Sequence, residues 1–399
     1  MRSNAYDVVV VGGGHNGLVA AAYLARAGLT VLVLERRDVP GGAAVTEEIF
    51  PGYQASTCAF TTHLLQDRIV RDLDLVQHGY RVLTLDPEYV VPFPDGRWLR
   101  LWRDAGRSQQ ELARFCAHDA AAYPAWVAFW TRVAVLFDRY FLREPPTLAE
   151  LAAALRSTED GRLLERLRDE TVRELLNAFF ESEQVQAALL GNVDLRSLDA
   201  PGELLGLASV KPNMLVNPAH QGQVVGGMGT LTAAMARAAR HAGARIRVGA
   251  EVRRILVDRG RAVGVEVVDG QVVRSRVVLS NADPKRTFGE LLAGQAVDPA
   301  VIQRVAQTET RSASVKCHAA VDQVPDFRGA PADVRELAML RLAPSTTYIA
   351  ASLADAAAGR PTRFPVITVQ IPTVLDPSVA PPGRHLVSLW VEVPAADPA

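Results

Sequence analysis

The chain has 399 residues, of which 49% are hydrophobic, 22% charged and 6% aromatic, and its formal net charge is -1. That length allows two or three domains, and the composition excludes a mainly disordered or fibrous chain. The near-neutral balance leaves no global field to recruit nucleic acid or an anionic membrane.

Residues 6–11 read as a short, fully buried strand, with four consecutive valines after an acidic entry at Asp7. That early charge, and the glycines that follow, argue against a signal peptide. Next comes Gly12-Gly13-Gly14-His15-Asn16-Gly17, then a small-residue helix over 18–28 closed by Gly28, then a second buried strand over 30–34 ending at Glu35. This is a complete strand, glycine turn, helix and strand unit. Gly12 permits the tight turn, Gly14 lets the backbone approach a pyrophosphate, and Gly17 lets the helix pack closely on the strand. The helix N-terminus offers N–H groups and a positive dipole end to phosphates. The Glu35 carboxylate is placed to accept both hydroxyls of an adenosine ribose. A valine at Gly14 is expected to abolish cofactor binding by filling the pyrophosphate space. His15 and Asn16 are further candidate contacts; His15 bonds the pyrophosphate, reaches a flavin, or only caps the turn. The bland alternative is a glycine-rich turn that binds nothing.

Glu35 disfavours a 2′-phosphate, and so NADP, although Arg36 and Arg37 adjoin it. Gly41-Gly42, followed by Ala43 and Ala44, suits a flavoprotein, because the chain passes close to the flavin end of an extended FAD. NAD stays open as an alternative, since Glu35 suits its ribose equally.

Residues 81–85, 89–91 and 97–103 read as strands, with Pro94-Asp95-Gly96 turning between the last two. From 108 to about 191 the pattern is helical, with breaks expected at Pro124, at Pro145-Pro146 and near Gly161. Trp126, Phe129, Trp130, Phe137, Tyr140 and Phe141 concentrate aromatic area there. They form the wall of an apolar substrate channel, a surface touching lipid, or the core of a helical subdomain, and the core is favoured. No segment has some eighteen uninterrupted apolar residues, so no membrane span is expected, while peripheral contact stays open.

Residues 225–231 open an amphipathic helix that runs through Ala242. Strands are expected at 244–248, 250–257, 261–267 and 272–276, the last two pairing around Asp269-Gly270, with a further buried strand from 277 to the Asn281-Ala282-Asp283-Pro284 turn. Gly226-x-x-Gly229 is not expected to be a second nucleotide site, because polar loop, not a buried strand, precedes it at 217–223.

These strings, above all 11–21, 34–37 and 41–48, resemble the FAD-dependent oxidoreductases of the amine oxidase and phytoene desaturase type, and within it the branch called pyridine nucleotide-disulfide oxidoreductase domain-containing protein 2. The resemblance is specific over 8–53, recognisable again over 225–284 and weak between. It implies an FAD cofactor, backbone contacts to the adenine at Val252, and a return of the chain to the cofactor at Asn281. The eukaryotic branch implies the mitochondrial matrix. The chain's own residues suggest a cytoplasmic setting, because Cys58, Cys116 and Cys317 are odd in number and form no C-x-x-C. That spacing also speaks against a redox dithiol or a zinc knuckle, and no histidine shows metal spacing.

Residues 313–321, 364–371 and 384–393 look like strands of a substrate-domain sheet, with Cys317 and His318 on opposite faces. Relatives of this type continue into a glycine-rich strand-to-helix segment that contacts the pyrophosphate and flavin. The sequence ends at Asp397-Pro398-Ala399, so that segment is expected to be missing. The expected fold class is α/β: a discontinuous Rossmann-like FAD/NAD(P)-binding domain (1–75 and 222–295) and a second α+β substrate domain (76–221 and 296–399) with a helical insertion at 108–191. The expected function is FAD-dependent oxidation or desaturation of an apolar small molecule by hydride transfer to flavin, with no catalytic residue identified. The alternatives are an NAD-dependent dehydrogenase and a truncated, non-catalytic protein that binds a nucleotide or a partner.

Overall fold

Val8–Val11 carry only aliphatic side chains, and all four are buried in the strand β1 (Ala5–Val11). The computed structural model describes residues 5–191, 195–208, 222–295, 297–308 and 312–394. The run 217–221 and the last residues, 395–399, lie outside the described residues.

After β1 the chain turns at Gly12, whose φ of +96° lies where residues with a Cβ are strained. It enters helix α1 (His15–Arg26) and leaves it towards β2 (Val31–Leu34), which runs parallel to β1 with Val9 opposite Leu32. The hairpin β3 (Thr46–Phe50) and β4 (Tyr53–Ser56) follows, then β5 (Val82–Leu83), β6 (Tyr89–Pro92) and β7 (Trp98–Leu101). The strand β8 (Gln223–Val224) pairs with β5. β9 (Arg245–Arg247), β10 (Val252–Asp258), β11 (Arg261–Val267) and β12 (Val272–Ser280) then complete a six-stranded sheet in the order β10-β11-β12-β1-β2-β9. β12 is one strand, not the two the sequence suggested. Its first half pairs antiparallel with β11, and β1 runs parallel beside it from Ala5–Arg274 to Val11–Ser280, so pairing holds it extended through Arg276 and Val277.

The second sheet is built from β13 (Ser312–Val321), β14 (Met339–Leu342), β15 (Val366–Gln370) and β16 (His385–Pro394), in the order β13-β16-β15-β14-β6-β7. Val90, Leu340, Val369, Ile371 and Val387 bury one face of it. On the other face Val91, Leu99, Leu101 and Val366 join the core of the helical region, beside the polar Arg341, Thr368 and Gln370.

The helical region is divided by hydroxyl caps. Thr147, Thr158, Thr171 and Ser182 each accept the N–H three residues on, and each starts a new helix. Pro145-Pro146 falls between helices. Pro124 does not break anything: it lies inside α2 (Ala117–Asp138). Its ring removes the N–H that would bond the Ala120 carbonyl, and Gln109 Nε2 donates to that carbonyl at 2.8 Å instead. The break expected near Gly161 falls just before it, between Ala154 and Glu159, and Gly161 sits in the first turn of the helix Glu159–Asp169, its N–H bonded to Thr158 Oγ1. Trp126 and Trp130 are 5% and 3% exposed and pack edge-on to each other and against Phe180. These indoles are core, each worth several kcal/mol against a small side chain. By length and mean hydropathy (1.3) α2 is long and apolar enough to cross a membrane, which the run of sequence had not suggested.

α3 (Met228–His241) lies against α1. Ala21, Ala22 and Ala25 on one helix and Ala234, Ala238 and Ala239 on the other are buried in the same core, and their small side chains allow a close approach.

Candidate functional site

Two glycine-rich turns start helices in the first sheet's layer, and they differ in what meets their N–H groups. At α1, Gly14 is the N-cap and no side chain caps it. The nearest carboxylate is Glu35, at the end of β2 and only 6% exposed. Its Oε2 accepts the Gly13 N–H at 2.7 Å and its Oε1 the Arg37 N–H at 2.9 Å. Each oxygen keeps a second acceptor site. A buried carboxylate held by two backbone donors beside an uncapped helix mouth has the chemistry to accept a diol next to an anion.

At α3 the N–H groups are already used. Gly226 donates to Asp376 Oδ2 at 2.7 Å, Met228 to Ser56 Oγ at 2.9 Å and Gly229 to Thr46 Oγ1 at 2.9 Å. Glycine is needed there for packing: a Cβ on Gly229 would lie 2.7 Å from Thr46 N.

The α1 turn is also packed on its other sides. A Cβ on Gly17 would lie 2.3 Å from the Gly12 carbonyl oxygen, so close contact of helix and strand is its requirement. A Cβ on Gly14 would meet Asn281 Nδ2 at 2.9 Å, with Gly42 Cα at 3.8 Å. This corrects the expectation that a side chain at Gly14 would first fill pyrophosphate space: it first meets the chain's own Asn281. Asn281 follows β12 and donates its N–H to the Val11 carbonyl. Gly41 forms a parallel bridge with Gly14, its N–H bonded to the Gly13 carbonyl at 2.8 Å. The φ of Gly41 is +143° and that of Gly42 is +61°.

The candidates therefore fall into a first group that the fold brings together: Gly12, Gly14, Gly17, Glu35, Gly41, Gly42 and Asn281. His15 and Asn16 are exposed at the helix mouth, as is Ala43 on the loop beyond. Arg36 is exposed, while Arg37 pairs with Glu47. Ala44 is buried, and its carbonyl accepts the Thr232 hydroxyl at 2.8 Å. The Val252 side chain is core, 5% exposed beside Leu34 and Val267, so only its backbone is on offer.

One residue escaped the sequence reading. Lys316, one of three lysines in the chain, reaches from β13 to the segment after β4. Its Nζ donates to the carbonyls of Ser56 and, at 2.7 Å, of Cys58, and lies 4.8 Å from the Phe60 ring centre. Ala59 in the same segment donates to the Ala43 carbonyl, which ties Lys316 to the glycine-pair loop. Burial pushes the ammonium down to about 8, with the Cys58 thiol acting the other way. Next on that face is His318, with Nδ1 2.8 Å from Ser388 Oγ. Burial, and then the Lys316 charge, lower its pKa. One of only three lysines in an arginine-rich chain was the signal available. Cys317 is exposed and on the opposite face. Among the described residues, no group of three or more His, Cys, Asp or Glu side chains could hold a metal ion.

A dinucleotide-type sheet with an open helix mouth, joined to a second mixed sheet, is the architecture of a two-domain flavin-dependent oxidoreductase. The family model for flavin containing amine oxidoreductases matches residues 17–396, and the chain belongs to that family. It is similar to mouse pyridine nucleotide-disulfide oxidoreductase domain-containing protein 2, at 35% identity over 97% of this chain and 73% of that protein. It is also similar to hydroxyneurosporene desaturase of Cereibacter sphaeroides, at 32% identity over 74% of this chain and 59% of the relative. Among solved structures, an oxidoreductase from Methanosarcina mazei shares the fold with a TM-score of 0.64 at 20% identity, covering 97% of this chain and 79% of that one. A putrescine oxidase variant does so with a TM-score of 0.57 at 18% identity, covering 98% and 76%.

Proposed function

We propose that the chain binds FAD in an extended form and oxidises a small molecule at a C–H bond. Glu35 takes the adenosine ribose hydroxyls, the α1 mouth faces the pyrophosphate, and the loop from Gly41 to Ala44 leads the flavin end towards Lys316. The bound flavin supplies the two-electron acceptor for a hydride. The chain's own residues bind, orient and enclose. Asn281 closes the far side of the turn, and Lys316 Nζ holds its proton against two backbone carbonyls beside the loop. The desaturase among the relatives supports a carbon skeleton as the target.

The observation that carries this reading is the uncapped α1 mouth beside a buried, half-used carboxylate, when the other glycine-rich start is closed by the chain's own oxygens. The test is to purify the protein, record its visible spectrum, and titrate it with FAD and NAD in competition. Yellow protein that releases FAD on denaturation, and FAD displacing NAD, is the expected result. Colourless protein that takes up no added FAD, or that prefers NAD, overturns the assignment.

A further inference from the structure

The face of the second sheet away from Val90 and Leu340 carries Val91, Leu99, Leu101 and Val366 in the helical core, and beside them a patch of polar residues that the strand register orders into rungs. Residues directly opposite each other in a sheet share a face. Lys316 is opposite Trp390, Trp390 opposite Thr368, and Thr368 opposite Arg341. The next rung is His318, Ser388 and Gln370. An ordinary polar face on an antiparallel sheet is wet. This one is not: Arg341 is 3% exposed, Thr368 4%, Gln370 5% and Ser388 4%.

Most of these groups hold structure. Gln370 Nε2 donates to the Phe60 carbonyl, Ser388 Oγ meets His318 Nδ1, and Lys316 holds the carbonyls of Ser56 and Cys58. The Thr368 hydroxyl does not. Thr368 Oγ1 is buried and has no hydrogen-bond partner among the described residues. It stands in register with a buried guanidinium, a fixed fork of donors that keeps its charge. A buried hydroxyl left without a partner is costly, so a fold that keeps one beside a cation has a use for it.

We infer that Arg341 and Thr368 form the seat for a carboxylate carried by the substrate, at the far end of the row from Lys316. The inference rests on the oxidoreductase reading only for what happens at the Lys316 end. Three inter-strand steps of about 4.8 Å separate the two ends by roughly 14 Å. The substrate class is thus an elongated, mainly apolar monoanion: carboxylate on Arg341, chain past Trp390 and Phe60, whose rings lie 5.7 Å apart, and the oxidised carbon near Lys316. Burial lowers the Arg341 pKa, and the Glu392 and Tyr89 charges that oppose this do not cancel it. An arriving anion acts in the same sense as those two charges, and Glu392 competes with it.

The test compares decanoate, decanol and decylamine as ligands of the FAD-loaded full chain. Binding is read twice, by perturbation of the visible flavin band and by the shift in thermal unfolding. Decanoate is expected to bind at least about tenfold more tightly than the other two, the usual worth of a charge-assisted contact. Arg341→Met should bring decanoate to the level of decanol, Arg341→Lys should retain part of the preference, and Glu392→Gln should strengthen it. Should Arg341→Met fail to fold, Thr368→Val is expected to weaken decanoate about threefold and decanol not at all. Equal binding of the three ligands by the wild-type protein overturns the proposal, as does unchanged decanoate binding in a folded Arg341→Met. Protein that takes up no FAD but still prefers decanoate in the unfolding shift would keep this seat and remove the flavin assignment instead.

Discussion

At the start of α3 the chain supplies its own acceptors: Asp376 for Gly226, Ser56 for Met228, Thr46 for Gly229. At the start of α1, among the described residues, it supplies none beyond Glu35 on Gly13, and that carboxylate is itself only half used. Both turns are rich in glycine, and each has a glycine, Gly17 in one and Gly229 in the other, whose Cβ would strike backbone. Glycine spacing alone therefore does not make a nucleotide site. What separates the two is whether hydroxyls from a neighbouring hairpin reach the first turn. Here β3 and β4 reach α3 and not α1, so the positive helix end is spent in one place and available in the other.

The largest expected effect breaks the open side. Gly17→Val puts a side chain 2.3 Å from the Gly12 carbonyl, a backbone atom that cannot swing away. It should cost about 3 kcal/mol or more in thermal unfolding and leave any folded fraction without FAD. Gly229→Ala at α3 meets Thr46 N at 2.7 Å and should also lose stability. Its folded fraction should bind FAD with wild-type affinity. If Gly229→Ala loses FAD as completely as Gly17→Val, the contrast between the two starts is false.

Glu35→Gln tests the receptor at a modest cost to the fold: the amide oxygen still accepts the Gly13 N–H, while the Arg37 N–H loses its acceptor. Losing one charged acceptor for the ribose should weaken FAD by about tenfold to a hundredfold in equilibrium titration. Asp376→Asn, the matching change at α3, should leave the FAD affinity unaltered. Opening the closed side further with Thr46→Val should cost about 1 kcal/mol in unfolding and again change no FAD titration. A new nucleotide site in that variant would show that capping was all that separated the turns.

The sequence made the first sheet's unit legible because each local signal agreed: buried valines, a glycine turn, small helical residues, an acid at the strand end. The glycines at 12 and 17 and the carboxylate of Glu35 needed no distant partner to be recognised. Asn281 and Val252 came from resemblance, since what brings Asn281 against Gly14 is the parallel pairing of β1 with β12, across some two hundred and seventy residues of chain. Pro124 misled because the compensating donor, Gln109, sits on another helix. The helix breaks were legible in principle: Thr147 and Thr171 each stand three residues before a glutamate, and both form capping boxes. Lys316 and Arg341 could not be read at all. Their meaning lies in the register of β13, β16, β15 and β14, and register is fixed by partners that no local pattern names.

The smallest expected effect is a slope, and it concerns how the closed side is held. Lys316 Nζ bonds the Ser56 carbonyl, and the Ser56 hydroxyl caps α3, so the lysine belongs to the sealed turn. Burial lowers its pKa from an ordinary 10.5 to about 8. Between those values the unfolded chain keeps a proton that the folded chain has released. Stability therefore rises with pH from about 8 to 10.5, and the penalty is complete below that window. Lys316→Met has no such proton, so its unfolding midpoint in urea should lack this rise, and the two curves should diverge across the window. Parallel curves would mean that the Ser56 and Cys58 carbonyls offset the burial in full. The ammonium would then be a plain structural clasp, and the closure of α3 would owe its strength to a permanently charged lysine rather than to hydroxyl caps alone.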